Sequence, residues 1–219
     1  MIPDYEYAAT MALETLKKYR ICSAPVMSIS ILKQLPGVLV ISFEEMSEIS
    51  GIDRRDLLTI CGTSHQDAVT TVKMEDGVLR YVVAYNQQLP FYLVQRVLAK
   101  ELGHIILAHD GTRPEDVREA EARCFAHHLL CPRPLIHAVQ ATGLRFTMAV
   151  LNNLTGCNDN CISCIRKVPG VKVPAELNRE ILNQFKPYII NFFEYQRTAS
   201  ATDVSALADF GSYMEGYAE

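Results

Sequence analysis

The stretch VLAKELGHIILAHD, residues 97–110, carries Glu101 and His104 in an apolar helical pattern. Two imidazoles four residues apart on one helix face converge on a single Zn²⁺. A glutamate between them then abuts the metal-bound water as general base. The position four before His104 is Lys100, however. An ammonium has no lone pair, so Lys100 is no zinc ligand at neutral pH. His109 follows His104 by five residues, about 140° off its face on a continuous helix. Only His65 or His137 remains to reach the motif through the fold.

A third protein ligand would come from a second helix. Residues 113–130 are helical by pattern, with an inward stripe of Val117, Glu121, Cys124, Phe125 and His128. Glu121 lies in the middle of that stripe. A carboxylate on an apolar face costs several kcal/mol unless it is paired or bound to a cation. Glu119 lies about 200° round the helix and is expected to face solvent. His128 shares the stripe but sits two turns, roughly 10 Å, farther along. Glu121 is therefore the acid expected to need a buried partner, unless the face is phased one residue off.

LAKELGHIILAHD followed by REAEARCFAHHLLCP resembles the ImmA/IrrE family of zinc-dependent metallo-endopeptidases. Those proteins carry HELGH and then an E-A-x-x-F-A-x-x-L-x-x-P signature, and the resemblance covers roughly residues 20–140. It implies an α+β, zincin-like domain with a small mixed sheet under the 91–108 helix. It also implies that His104 matches the second histidine ligand, Glu101 the general base and Glu121 the carboxylate ligand. Lys100 stands where the first histidine ligand belongs. The implied zinc site is thus one ligand short, and weak or absent zinc binding and catalysis are expected. Family substrates are helix-turn-helix repressors of mobile elements, so a protein substrate or partner is implied.

Without metal, Glu101 and Glu121 would form a buried like-charge cluster. The Lys100 ammonium is expected to sit near the vacated zinc position and neutralise it. The competing expectation is that Lys100 reaches out to solvent and the site has decayed.

GCNDNCISC places Cys157, Cys161 and Cys164 in C-x3-C-x2-C. Three thiolates so spaced hold an iron–sulfur cluster in radical enzymes, but no βα repeats here could build the accompanying barrel. A zinc site lacks a nearby fourth ligand. The i, i+4, i+7 spacing reads instead as a structural, buried helix face. TMAVLNNLTGCNDNCISCIRKV resembles a helix-turn-helix with Gly156 as the turn, although Asn152 stands where a small residue is usual. DNA contact needs cations, and Arg166 and Lys167 are few. A helical hairpin or a protein-binding segment is preferred, with DNA regulation the remaining alternative.

The elements that would position these residues follow from pattern. A helix is expected over 5–19, then a short helix, a Pro36-Gly37 turn and a strand at 38–43. A helix is expected over 44–60. AVTTVKM and VLRYVVAYN flank Glu75-Asp76-Gly77 as a hairpin. Pro90 opens the helix bearing Lys100. Thr112 and Glu115 form an expected capping box for the next helix, with Pro114 in its first turn. That helix stops before Pro132. Helices are expected on both sides of Gly156, with a final one over 175–196. Domains are therefore expected at 1–139 (zincin-like), 140–196 (helical) and 197–219 (a loose tail).

The chain's 219 residues are 49% hydrophobic, enough for a sizeable core. A net charge of −4 and a pI near 5.9 give no global reason for a nucleic-acid or membrane partner. No apolar run spans a bilayer, no secretory signal is evident, and seven cysteines in a chain this long read as reduced thiols. A cytoplasmic protein is expected.

Overall fold

A computed structural model describes residues 1–60, 67–142, 147–157 and 171–200. The chain opens with α1 (Tyr5–Lys18), started by the Asp4 side chain, which accepts from the Tyr7 N–H. A short α2 (Ser28–Leu32) leads through Gly37 into β1 (Val38–Ser42). The expected helix over 44–60 is two helices, α3 (Phe43–Ser50) and α4 (Arg54–Ile60). Gly51, at φ +68°, ends α3 in the left-handed region, which glycine enters without a Cβ penalty. Ser42 and Glu45 form a reciprocal capping box at the α3 start.

The hairpin forms as its D-G turn predicts: β2 (Ala68–Glu75) and β3 (Val78–Tyr85) join through Asp76 and Gly77, both at positive φ. The sheet order is β1-β3-β2. β1 runs parallel to β3, with Val38 beside Tyr81, and β2 runs antiparallel, with Glu75 beside Val78. Val83 is fully buried, and Val38, Val40 and Tyr85 pack against the same core. That face lies against α5 (Phe91–Ile106), the helix of the Lys100 motif.

α6 (Glu115–Leu130) turns back along α5. The expected Thr112–Glu115 capping box is absent. Thr112 instead donates both its N–H and its hydroxyl to Asp110, and Pro114 holds the cap position without a side-chain bond. The prolines expected to end this helix also start another, α7 (Arg133–Ala141), with Pro132 at its cap. Proline's fixed φ suits a first helical turn. Then come α8 (Met148–Thr155), ended by Gly156 at φ +68°, and α9 (Ala175–Ser200), four residues longer than expected. One buried cluster joins Ala8, Leu98, Phe125, Leu151 and Phe185, so residues on both sides of position 140 share a core.

Two constraints set the α5–α6 spacing. At Gly103 an added Cβ would meet the Ala122 backbone at 3.2 Å and Phe125 Cδ1 at 3.1 Å. The gain in helix propensity from Gly103→Ala, about 1 kcal/mol, is outweighed by forcing two backbones apart. Urea denaturation should show a net loss of about 1–2 kcal/mol; a gain in stability would mean the helices separate freely.

His127 and His128 are buried neutral. Burial first, then neighbouring charge, lowers each to about 4. The unfolded chain takes up protons near pH 6.5, which the folded state refuses until about 4. This contribution is complete above pH 6.5 and is lost as pH falls towards 4, by at most about 3 kcal/mol for each ring. His128→Gln should flatten the stability profile between pH 6.5 and 4. An unchanged slope would contradict the burial of an uncharged ring there.

Candidate functional site

Lys100, Glu101 and His104 lie on α5 with Glu119 opposite them on α6. The Lys100 Nζ is 3.2 Å from Glu119 Oε2 and 3.5 Å from Glu101 Oε1. Thr70, on β2, donates its hydroxyl to Glu101 Oε2 at 2.6 Å. His104 Nε2 is 3.0 Å from Glu119 Oε1. The hydrogen bond from His104, with Lys100's charge behind it, brings the Glu119 carboxyl down to about 2.

Glu121 is buried, as the apolar stripe implied, but it belongs to a second cluster. It accepts from Arg113 Nη1 at 3.0 Å and from the Asp4 backbone N–H at 2.8 Å, and it is 3.0 Å from His109 Nε2. The expected Lys100–Glu121 pair is therefore replaced by Lys100–Glu119, and Glu119 does not face solvent alone. The reason is that α6 has two packed faces. Its Glu121–Cys124 side meets the N-terminal segment, where Cys124 Sγ also lies 3.6 Å from the Tyr5 carbonyl. Its Glu119 side meets α5. A single-stripe reading of a helix gripped from two directions picks out one face only.

Helical spacing alone places His109 off the His104 face, yet its Nδ1 lies 2.9 Å from His104 Nδ1. α5 ends at Ile106 and Ala108 takes φ +51°, so the chain folds back and the His109 N–H bonds to the His104 carbonyl. The right signal was the helix end, since spacing rules hold only inside a helix. His65 lies outside the described residues. His128 donates its Nδ1–H to the Cys124 carbonyl, 2.9 Å away, one turn back on its own helix.

These contacts link Glu119, His104, His109 and Glu121 in a chain. Three links need three protons, whereas two neutral rings carry two. With carboxylates at both ends, the ring pair holds one surplus proton. Burial pushes His109 down, against the pull of Glu121. Lys100 and the imidazole pair thus face the Glu101 and Glu119 carboxylates.

Cys157 is buried, with Sγ 3.7 Å from the Leu130 carbonyl, consistent with packing. Cys161 and Cys164 lie outside the described residues. Among the described residues, no group of three or more His, Cys, Asp or Glu side chains is arranged to hold a metal ion, and no helix is long and apolar enough to cross a membrane.

Residues 59–150 match the family model of the IrrE N-terminal-like domain, a peptidase family numbered M78. This part of the chain, residues 59–150, is thus similar to an IrrE N-terminal-like domain. The match spans the hairpin, α5 and α6, and so includes Thr70, Lys100, Glu101, His104, His109, Arg113, Glu119 and Glu121. No curated protein and no solved structure matches the chain. The α+β architecture around the IrrE-like domain agrees with the zincin-like fold the resemblance implied.

The Lys100–Glu119 contact is partly exposed on both sides, which limits its value. Lys100→Met and Glu119→Gln, alone and combined, should show a coupling of about 1 kcal/mol in urea denaturation, with the double change costing less than the sum. Strict additivity would mean that Lys100 is unpaired in solution.

Proposed function

We propose that this chain is a metallopeptidase-like regulator in which Lys100's ammonium supplies the positive charge that zinc supplies in the ImmA/IrrE family. It engages a protein partner, a helix-turn-helix repressor, with little or no peptide hydrolysis. The observation that carries this reading is the Lys100 Nζ lying within 3.5 Å of both the Glu101 and the Glu119 carboxylates. A zinc ion there would lack the ligand that Lys100 displaces, and it would stand beside an ammonium. His104 has a partner at each ring nitrogen, and Thr70 already uses one oxygen of Glu101. The donor set therefore does not fit the implied metal. Glu121, the carboxylate ligand suggested by sequence, is committed to Arg113, His109 and the Asp4 N–H.

On this reading Glu101 is a positioned carboxylate with no metal-bound water to deprotonate. The 1–139 part provides the partner-binding face, the 140–196 part a helical extension to it, and 197–219 a tail. The cytoplasm is the compartment proposed, in keeping with free thiols at Cys22, Cys124 and Cys131. DNA contact through residues 147–167 rests on a segment whose second half lies outside the described residues, and nothing described favours it.

Elemental analysis tests the metal part. Protein purified without chelator should hold far less than one zinc per chain. Lys100→His should raise zinc content towards one per chain, because it restores an imidazole one turn before His104. Stoichiometric zinc in the unaltered protein would contradict the proposal and point to a recruited ligand.

A further inference from the structure

The seam between α5 and α6 continues beyond the site just described. On α5, Arg96, Lys100 and His104 follow at i, i+4 and i+8; on α6, Glu119, Arg123 and His127 do the same. Such residues line one face of a helix. The helices run antiparallel, so the stripes meet in reverse order. His104 and Lys100 touch Glu119 at one end, which brings Arg96 opposite Arg123 and His127 at the other. The charge of both guanidinium groups is felt at the His127 ring, where, after burial and His128, it opposes protonation.

The two ends differ in charge balance. Lys100 has two carboxylates. Among the described residues, Arg96 has no acidic partner, and Arg123 spends only its Nε–H, on the Glu119 backbone carbonyl. Both Glu119 carboxylate oxygens are taken by His104 and Lys100. His127 is 9% exposed, and its Nδ1 has no hydrogen-bond partner. A buried polar nitrogen without a partner is costly, and two guanidinium forks that lack an acid beside it match the geometry of an oxyanion.

We propose that the Arg96–Arg123–His127 end of this seam binds a dianionic oxyanion of the phosphate class. Two uncompensated cations balance a dianion better than they balance a single carboxylate. This site is separate from the Lys100 cluster, roughly 6 Å up the helix axis from it at one turn, and it stands whether or not zinc binds.

The test is an NMR titration of the full chain with inorganic phosphate at about pH 7.5, where phosphate is mostly dianionic. Ionic strength is held constant with chloride. The His127 ring resonances should shift saturably, and acetate should produce no saturable shift. Arg96→Met and Arg123→Met should each weaken binding about tenfold, while Arg80→Met on the hairpin should leave it unchanged. A shift that never saturates would overturn the proposal. So would binding that survives loss of both arginines, or acetate binding as tightly as phosphate.

Discussion

One ammonium group organises the centre of this protein. Lys100 sits between Glu101 and Glu119, on two helices held in contact where Gly103 meets Ala122. Remove the cation and two carboxylates share a partly dry crevice, which raises the cost of ionising either. A divalent ion solves the same electrostatic problem in a metallopeptidase. A lysine solves it with a fixed covalent charge that needs no ligand set and offers no Lewis acidity.

The second carboxylate shows how tightly the rest depends on that arrangement. Glu121 is buried to 2% exposure and would be intolerable alone. Arg113, His109 and the N–H of Asp4 neutralise and bond it. This ties the start of the chain to the middle of α6 and holds His109 against His104. The paired rings join the two clusters in one run of contacts from Glu119 to Arg113.

The hairpin, the helix bearing Lys100 and the buried stripe of α6 were legible in sequence because each follows a local period. The D-G pair sets the turn, and the apolar spacing sets the faces. What was not legible is tertiary. Glu119 joins the site because α6 is packed on two sides, and no single-helix pattern encodes a second neighbour. His109 joins because the chain leaves α5 through a left-handed Ala108, an uncommon conformation for a residue with a Cβ. α7 went unseen because prolines that stop one helix also suit the first turn of the next. Thr70, which holds Glu101, comes from a strand some thirty positions away and has no motif of its own.

The central claim is that an ammonium, not a metal, occupies the point between Lys100, Glu101 and Glu119. Crystals of the protein soaked in excess zinc, with anomalous scattering measured at the zinc absorption edge, test it directly. The account predicts no anomalous peak at that point, with the Lys100 nitrogen still within hydrogen-bonding distance of Glu119. A strong peak bonded to His104 and Glu119, with Lys100 swung out to solvent, would contradict it.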